Sequence, residues 1–433
     1  MYKKISIFLI VLLGFICLTA CSGSDLFNII QEDSTVIKFY ENKIFVNDVE
    51  VARDISQSVY IANDIVYYPD DKDFTFGKGY GDDLHSKEEA DANIVVHITK
   101  PGKYELTGKW DKGQIAVDLG KEAKNDPNAV VTLILNNIDI TCDVAPAILF
   151  YNVYEPFEDV TEETAKKEVN TTTAGANIII ADDSVNNISG SYVARIYKPE
   201  SVVLNESGNE VIEEKKLHKY DAALYSKMTM NVDSGKKDTG VLNIMAENEG
   251  LDTEMHLTIN GGTININSVN DGINVNEDDI SVVTINGGRL NIKVSGNLQE
   301  GDGIDSNGWV VINDGVVIAQ SCDFGIDSGI DGNKGIYINK GIVIAAGNDL
   351  KEIYGEQQSH LIFNKTDGLL SGIYSLKNSK DEIVLKFEID KVYNILLVSS
   401  NNIKSDIYSL WCNDIQIGDS FEVQEGKNII NIG

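Results

Sequence analysis

From Asn93 onward, β-branched and other apolar residues alternate with polar ones over short stretches. Lys103-Tyr104-Glu105-Leu106, Thr263-Ile264-Asn265-Ile266-Asn267 and Ile383-Val384-Leu385-Lys386-Phe387-Glu388-Ile389 are examples. A period of two is the signature of a strand with one face buried. A longer period is laid over it between Gly250 and Asn348. Gly250-Leu251-Asp252, Gly272-Ile273-Asn274, Gly303-Ile304-Asp305 and Gly325-Ile326-Asp327 read as copies of one Gly-aliphatic-Asp/Asn unit. Each is followed by an Ile-Asn-x-Gly turn whose asparagine is Asn260, Asn286, Asn313 or Asn339. A repeat of about 26 residues holds a few short strands and no helix, and it is too short for a propeller blade. One circuit of strands stacked on the next is a parallel β-helix, with circuits about 4.8 Å apart. Ile259, Ile285, Ile312 and Ile338 should then form one inward ladder. The asparagines should stack at a corner, where the following Gly accepts a left-handed backbone.

Other stretches flank this core. Ile37 to Tyr40, Lys43 to Val46 and Ile65 to Tyr68 predict short strands, and residues 22–92 an N-terminal β segment with an acidic surface loop over 69–89. Leu135-Asn136-Asn137 and residues 176–188 read as divergent copies of the turn. Tyr192 to Lys219 is charged and breaks the period, as an insertion in a solenoid does. The β-helix is expected over 93–350, and residues 351–433 as a C-terminal β module. Both ends need caps, because an open sheet edge pairs with other chains. The fold expected is all-β, a parallel β-helix with small β caps.

Residues 1–21 carry Lys3 and Lys4, an apolar run from Ile5 to Leu18, and then Leu18-Thr19-Ala20-Cys21. This is a secretory signal. Its ending resembles a bacterial lipobox, which implies a lipid on Cys21, outward-facing at the cell membrane; an ordinary signal peptide is the alternative. The chain bears a net charge of −31. Such a surface excludes nucleic acid and anionic lipid as direct ligands and suits cations. Cys142, Cys322 and Cys412 are too far apart and too few for a disulfide framework or a zinc site.

The wording of the repeats resembles a known family. Asn276-Glu277-Asp278, Glu300 to Gly308 and Asp327-Ser328-Gly329-Ile330-Asp331 are similar to the clostridial carbohydrate-binding domain-containing β-helix lipoproteins. Thr132 to Thr141 and Leu257 to Gly262 match as well. The resemblance implies a right-handed helix similar to pectate lyases, bound calcium, and binding of acidic, pectin-like or other plant cell-wall polysaccharide without catalysis.

Stacked carboxylates repel one another unless a cation lies between them. Asp252, Asn274, Asp305 and Asp327 are expected in one column, surrounded by Glu277, Asp278, Glu300, Asp302, Asn307 and Asp331. All are oxygen donors, which favours calcium over zinc or copper; a solvated acidic face is the bland alternative. Trp110, Trp309 and Tyr337 are candidates to stack on sugar rings, or else core packing. A polysaccharide lyase would further need a basic side chain beside a cation-bound uronate. Arg289 and Lys293 are the candidates within the regular repeats. A purely structural surface adhesin is the third possibility.

Overall fold

The computed structural model describes residues 34–433 apart from 41–42, 297–299 and 356. The signal segment and Cys21 lie outside the described residues. The described chain is nearly all β, with one short α-helix, Lys87–Ala92.

Successive strands pair in parallel along three ladders. On the first, Ile148–Asn152, Ala222–Ser226, Glu249–Thr253, Ile273–Val275 and Ile304–Ser306 follow one another. The second runs through Ala176–Ile180, Met230–Ser234, His256–Ile259, Val282–Ile285, Trp309–Ile312 and Ile336–Ile338. The third runs through Val185–Gly190, Val241–Ala246, Thr263–Ser268, Arg289–Val294, Val316–Gln320 and Ile342–Gly347. The chain visits the ladders in rotation.

The turn ladder predicted from sequence is present. Ile259, Ile285, Ile312 and Ile338 are in register and fully buried. Beside them the asparagine amides form a chain. Asn286 donates to Asn260, Asn313 to Asn286 and Asn339 to Asn313, each at 2.8 Å. Each amide oxygen thus meets the amide group of the next circuit, so the partly exposed polar column is satisfied internally. Gly262, Gly288, Gly315 and Gly341 close these turns with φ between 79 and 101°, where a Cβ is strained. A second amide chain, Asn291 to Asn265 to Asn243 to Asn187, runs up the third ladder with spacings of 2.7–2.9 Å. It too stacks one residue type on itself.

Four readings need correction. The fourth repeat unit is Gly329-Ile330-Asp331, not Gly325-Ile326-Asp327. Ile304 bridges to Ile330 in parallel, Ile330 is fully buried, and Ile326 is 79% exposed. The cause is close backbone packing: a Cβ on Gly303 would lie 2.4 Å from the Gly329 carbonyl, as one on Gly272 would lie 2.5 Å from that of Gly303. Only glycine fits this column. Leu135-Asn136-Asn137 is not the turn copy either. Leu133, not Leu135, stands in the column that leads through Ile178 and Val232 to Ile259, because Val131–Cys142 runs on as one long strand. Ile65 to Tyr68 is not a strand; Val59–Ala62 pairs antiparallel with Ile94–Ile98 instead. The acidic loop ends in the helix Lys87–Ala92, started by a capping box between Ser86 and Glu89. That Ser-x-x-Glu signal stands in the sequence.

Both ends of the ladders are covered. Thr35–Tyr40 pairs with Gly102–Trp110 and with the hairpin strand Lys43–Val46. Tyr393–Ser400 lies antiparallel on Ile342–Gly347, and Gly372–Lys377, Ile383–Ile389, Asp406–Cys412 and Ile415–Val423 form a four-stranded antiparallel sheet over a second core that also takes in Ile344, Leu361 and Val398. The charged insertion is a twisted arm rather than an open loop. Val193–Tyr197 pairs antiparallel with Lys216–Tyr220, and Val203–Leu204 with Val211–Glu213.

Candidate functional site

The first ladder carries the acids. Its strands are short, so each circuit turns soon after the aliphatic residue that enters the core. The residue before each glycine and the residue after each aliphatic therefore both become columns. The first column is Glu249, Asp271 and Asp302, ending at Ser328. The second is Asp252, Asn274, Asp305 and Asp331, as the parallel register and the backbone bonds between adjacent glycines require.

At one place the columns converge. One oxygen from each of Asp221, Glu249 and Asp252 lies within 4.8 Å of the others, and all three side chains are buried. Among the described residues this is the group of three acids that comes together so closely. Asn274 donates to Glu249 at 3.1 Å and Asn276 to Asp252 at 2.7 Å. Lys219 pairs with Asp221 at 2.5 Å. Glu249 Oε2, Asp252 Oδ2 and the Asn274 amide oxygen are buried without a partner. Three carboxylates against one ammonium leave uncompensated buried charge, which is costly. Burial and the mutual repulsion of the group accordingly push Glu249 and Asp252 well above the usual carboxylate range. Asp221 is raised by burial, with Lys219 opposing. Such a group takes up either protons or a cation. Its donors are hard oxygens, the kind that could hold a cation of the calcium type.

The acid line continues from there. Burial, with Glu249, Asp302 and Asp305 nearby, raises Asp271 well above its ordinary value. Burial pushes Asp302 up to about 8 and Asp305 up to about 7. Asp331 is raised by burial too, held in part by Lys351 at 3.3 Å.

The expected ligand set is therefore split. Asp252 lies in the converging group and Asn274 beside it; Asp302, Asp305 and Asp331 continue the line. Asp327 is not in the column: it accepts the Cys322 thiol at 2.8 Å. Asp278 and Asn307 bond to each other at 2.8 Å at the corner. Glu277 lines a neighbouring cleft, and Glu300 is exposed. Asp221, Glu249 and Asp271 were missed. The signal for two of them was available, since an acid precedes the glycine in Glu249-Gly250-Leu251-Asp252, Asp271-Gly272-Ile273-Asn274 and Asp302-Gly303-Ile304-Asp305. Asp221 precedes Ala222 and carries no such mark.

The aromatic candidates stand elsewhere. Trp110 is a core residue, packed on Phe39 and bonded through Nε1 to the Lys112 carbonyl. Trp309 and Tyr337 are half-buried on the second ladder, not among the acids. Lys334 lies 5.0 Å from the Trp309 ring centre, and Tyr337 stacks on Tyr354 at 4.7 Å. Arg289 and Lys293 lie on the third ladder, where Lys293 is paired with Asp390.

The profile of the carbohydrate-binding domain-containing protein family matches residues 92–360. A carbohydrate-binding domain-containing protein of Acetivibrio thermocellus is 28% identical over 172 residues, which are 40% of this chain and 44% of the relative. The match thus spans less than half of that relative's length. A solved polysaccharide lyase-like protein from C. thermocellum, in a gadolinium derivative, overlays with a TM-score of 0.42 at 20% identity, over 75% of this chain and 94% of that one. The profile match extends over more than half of the sequence, through all the repeats and the acid line, and by it this chain belongs to the carbohydrate-binding domain-containing protein family.

Proposed function

We propose that the protein holds an acidic, pectin-type polysaccharide at the bacterial cell surface with the help of calcium, and does not cleave it. The observation that carries the reading is the buried group Asp221, Glu249 and Asp252 with its partnerless oxygens, in a chain of a carbohydrate-binding family. Asp221, Glu249, Asp252 and Asn274 would hold the ion. A divalent cation there would offset the carboxylate repulsion and attract an anionic polymer to an acidic protein. The fold that belongs to this reading is a right-handed parallel β-helix, supported by the three parallel ladders. The lipobox-like ending at Cys21 supports a lipid anchor that would keep the captured polymer near the cell.

A second reading, a lyase, is favoured by one observation. Lys216 and Lys219 stand beside the acid group, paired with Glu254 at 2.9 Å and Asp221 at 2.5 Å. A basic side chain next to a cation-bound uronate is what proton abstraction needs.

Two measurements test the proposal. Calcium should raise the melting temperature of the protein, because an ion bound only to the folded state stabilises it by mass action, about 2.7 kcal/mol at 100 times its Kd. Asp252→Asn should abolish that rise. A melt that ignores both calcium and chelator rejects the ion. Polygalacturonate should be pulled down with calcium present, with no growth in the absorbance of unsaturated products. Growing absorbance would establish the lyase instead.

A further inference from the structure

The arm over residues 193–220 encloses a cleft of about 680 Å³ against the first ladder. Six lysines line it: Lys121, Lys124, Lys198, Lys216, Lys219 and Lys227. That concentration stands out in a chain with 36 basic and 67 acidic residues. Three of the six are neutralised, Lys124 by Glu158, Lys216 by Glu254 and Lys219 by Asp221. Lys121, Lys198 and Lys227 have no carboxylate partner among the described residues. Glu155, also in the lining, is turned inward and satisfied by the Thr229 amide at 2.6 Å and the Thr229 hydroxyl at 2.9 Å. Glu277 is the one lining acid left over.

The lining lysines around Lys227 are close enough for it to feel their charge. Burial, and then the charges of Lys216, Lys124 and Lys198, hold the Lys227 ammonium below the usual lysine range, with Glu254 opposing. Lys227 stands 4.7 Å from the centre of the Tyr151 ring, which meets Tyr220 edge-on. Leu217 and Met255 add apolar lining. Unpaired ammonium groups, aromatic rings and a few apolar side chains are the components that recognise a sugar ring bearing a negative charge.

We infer that this arm-built cleft is the subsite for a carboxylated saccharide segment, with Lys121, Lys198 and Lys227 meeting its carboxylates directly. The inference rests on the proposed polysaccharide binding and adds where and by which residues the acid groups are read. It also gives the insertion a role: without the arm, Lys198, Lys216 and Lys219 would not face Lys121 and Lys227 across a cleft. The family match places the domain over 92–360, and the arm lies inside it.

The test is calorimetric titration of the full chain, in saturating calcium, with an oligogalacturonate and with its carboxyl-reduced neutral counterpart. The parent should bind the carboxylated oligosaccharide in preference, and added salt should weaken binding. Lys198→Gln and Lys227→Gln should each weaken it about tenfold, the scale of one charge-assisted contact, with unchanged melting temperatures. Lys386→Gln, on the exposed face of the C-terminal strand Ile383–Ile389 and outside the cleft lining, controls for loss of general positive charge. Preference for the neutral oligosaccharide, or Lys198→Gln and Lys227→Gln binding as the parent does, overturns the cleft while polysaccharide binding stands. A parent that takes up neither oligosaccharide sinks both.

Discussion

Asp305 offers a quantitative test of the acid line. Its carboxyl is pushed up to about 7, first by burial and then by Asp331, from an ordinary value of about 3.9. A raised carboxylate is a stability cost that appears with rising pH. Below about pH 4 the group is protonated in both folded and unfolded chains and costs nothing. Between about pH 4 and 7 the unfolded chain loses the proton first, and folding is progressively disfavoured. Above that range the penalty is full and flat. At about 1.36 kcal/mol per unit, it is about 1.5 kcal/mol at pH 5 and about 4 kcal/mol at pH 8. Asp305→Asn removes the charge, and the column already holds an amide one circuit earlier, at Asn274. In excess chelator, urea unfolding should therefore show the variant more stable than the parent by about 1.5 kcal/mol at pH 5 and up to about 4 kcal/mol at pH 8. That is a large part of a typical folding free energy. A gain independent of pH, or a loss at pH 8, would refute the reasoning, since burial of charge would then not be what Asp305 contributes.

The other predictions concern the repeat itself. Ile330→Ala should cost about 2–5 kcal/mol, as for other large-to-small changes at fully buried sites, and Ile326→Ala close to nothing; urea midpoints of the two variants decide between the two repeat registers. Asn313→Ala breaks the amide chain on both sides, leaving Asn286 Oδ1 and Asn339 Nδ2 without it, and should lower stability by about 1–2 kcal/mol. Thermal melts of that variant should stay cooperative, because the isoleucine ladder beside it is intact. Gly303→Ala should be worse than any of these, since the Cβ would meet the Gly329 carbonyl at 2.4 Å; loss of soluble protein or a broad melt is the expected result.

Strand content, the turn period and the isoleucine and asparagine ladders are legible along the chain. These follow from local rules: alternation sets which side chains face inward, and an Asn-x-Gly turn repeats wherever its residues do. The sequence also placed acids on one stretch of the chain. It did not determine which acids meet. A shift of four residues separates Gly325-Ile326-Asp327 from Gly329-Ile330-Asp331, and only the close packing of Gly303 on Gly329 selects the second. Glu249 and Asp252 belong to the one strand Glu249–Thr253, and Asp221 joins them from the previous circuit, 28 residues before Glu249 in sequence (249 − 221). The arm is the clearest case. Read along the chain, residues 192–219 are a charged interruption; folded back as a hairpin, they set Lys198 and Lys216 opposite Lys121 and Lys227. Period and polarity are properties of neighbours in sequence, whereas the electrostatics of a site depend on distances between segments that only the stacked circuits fix.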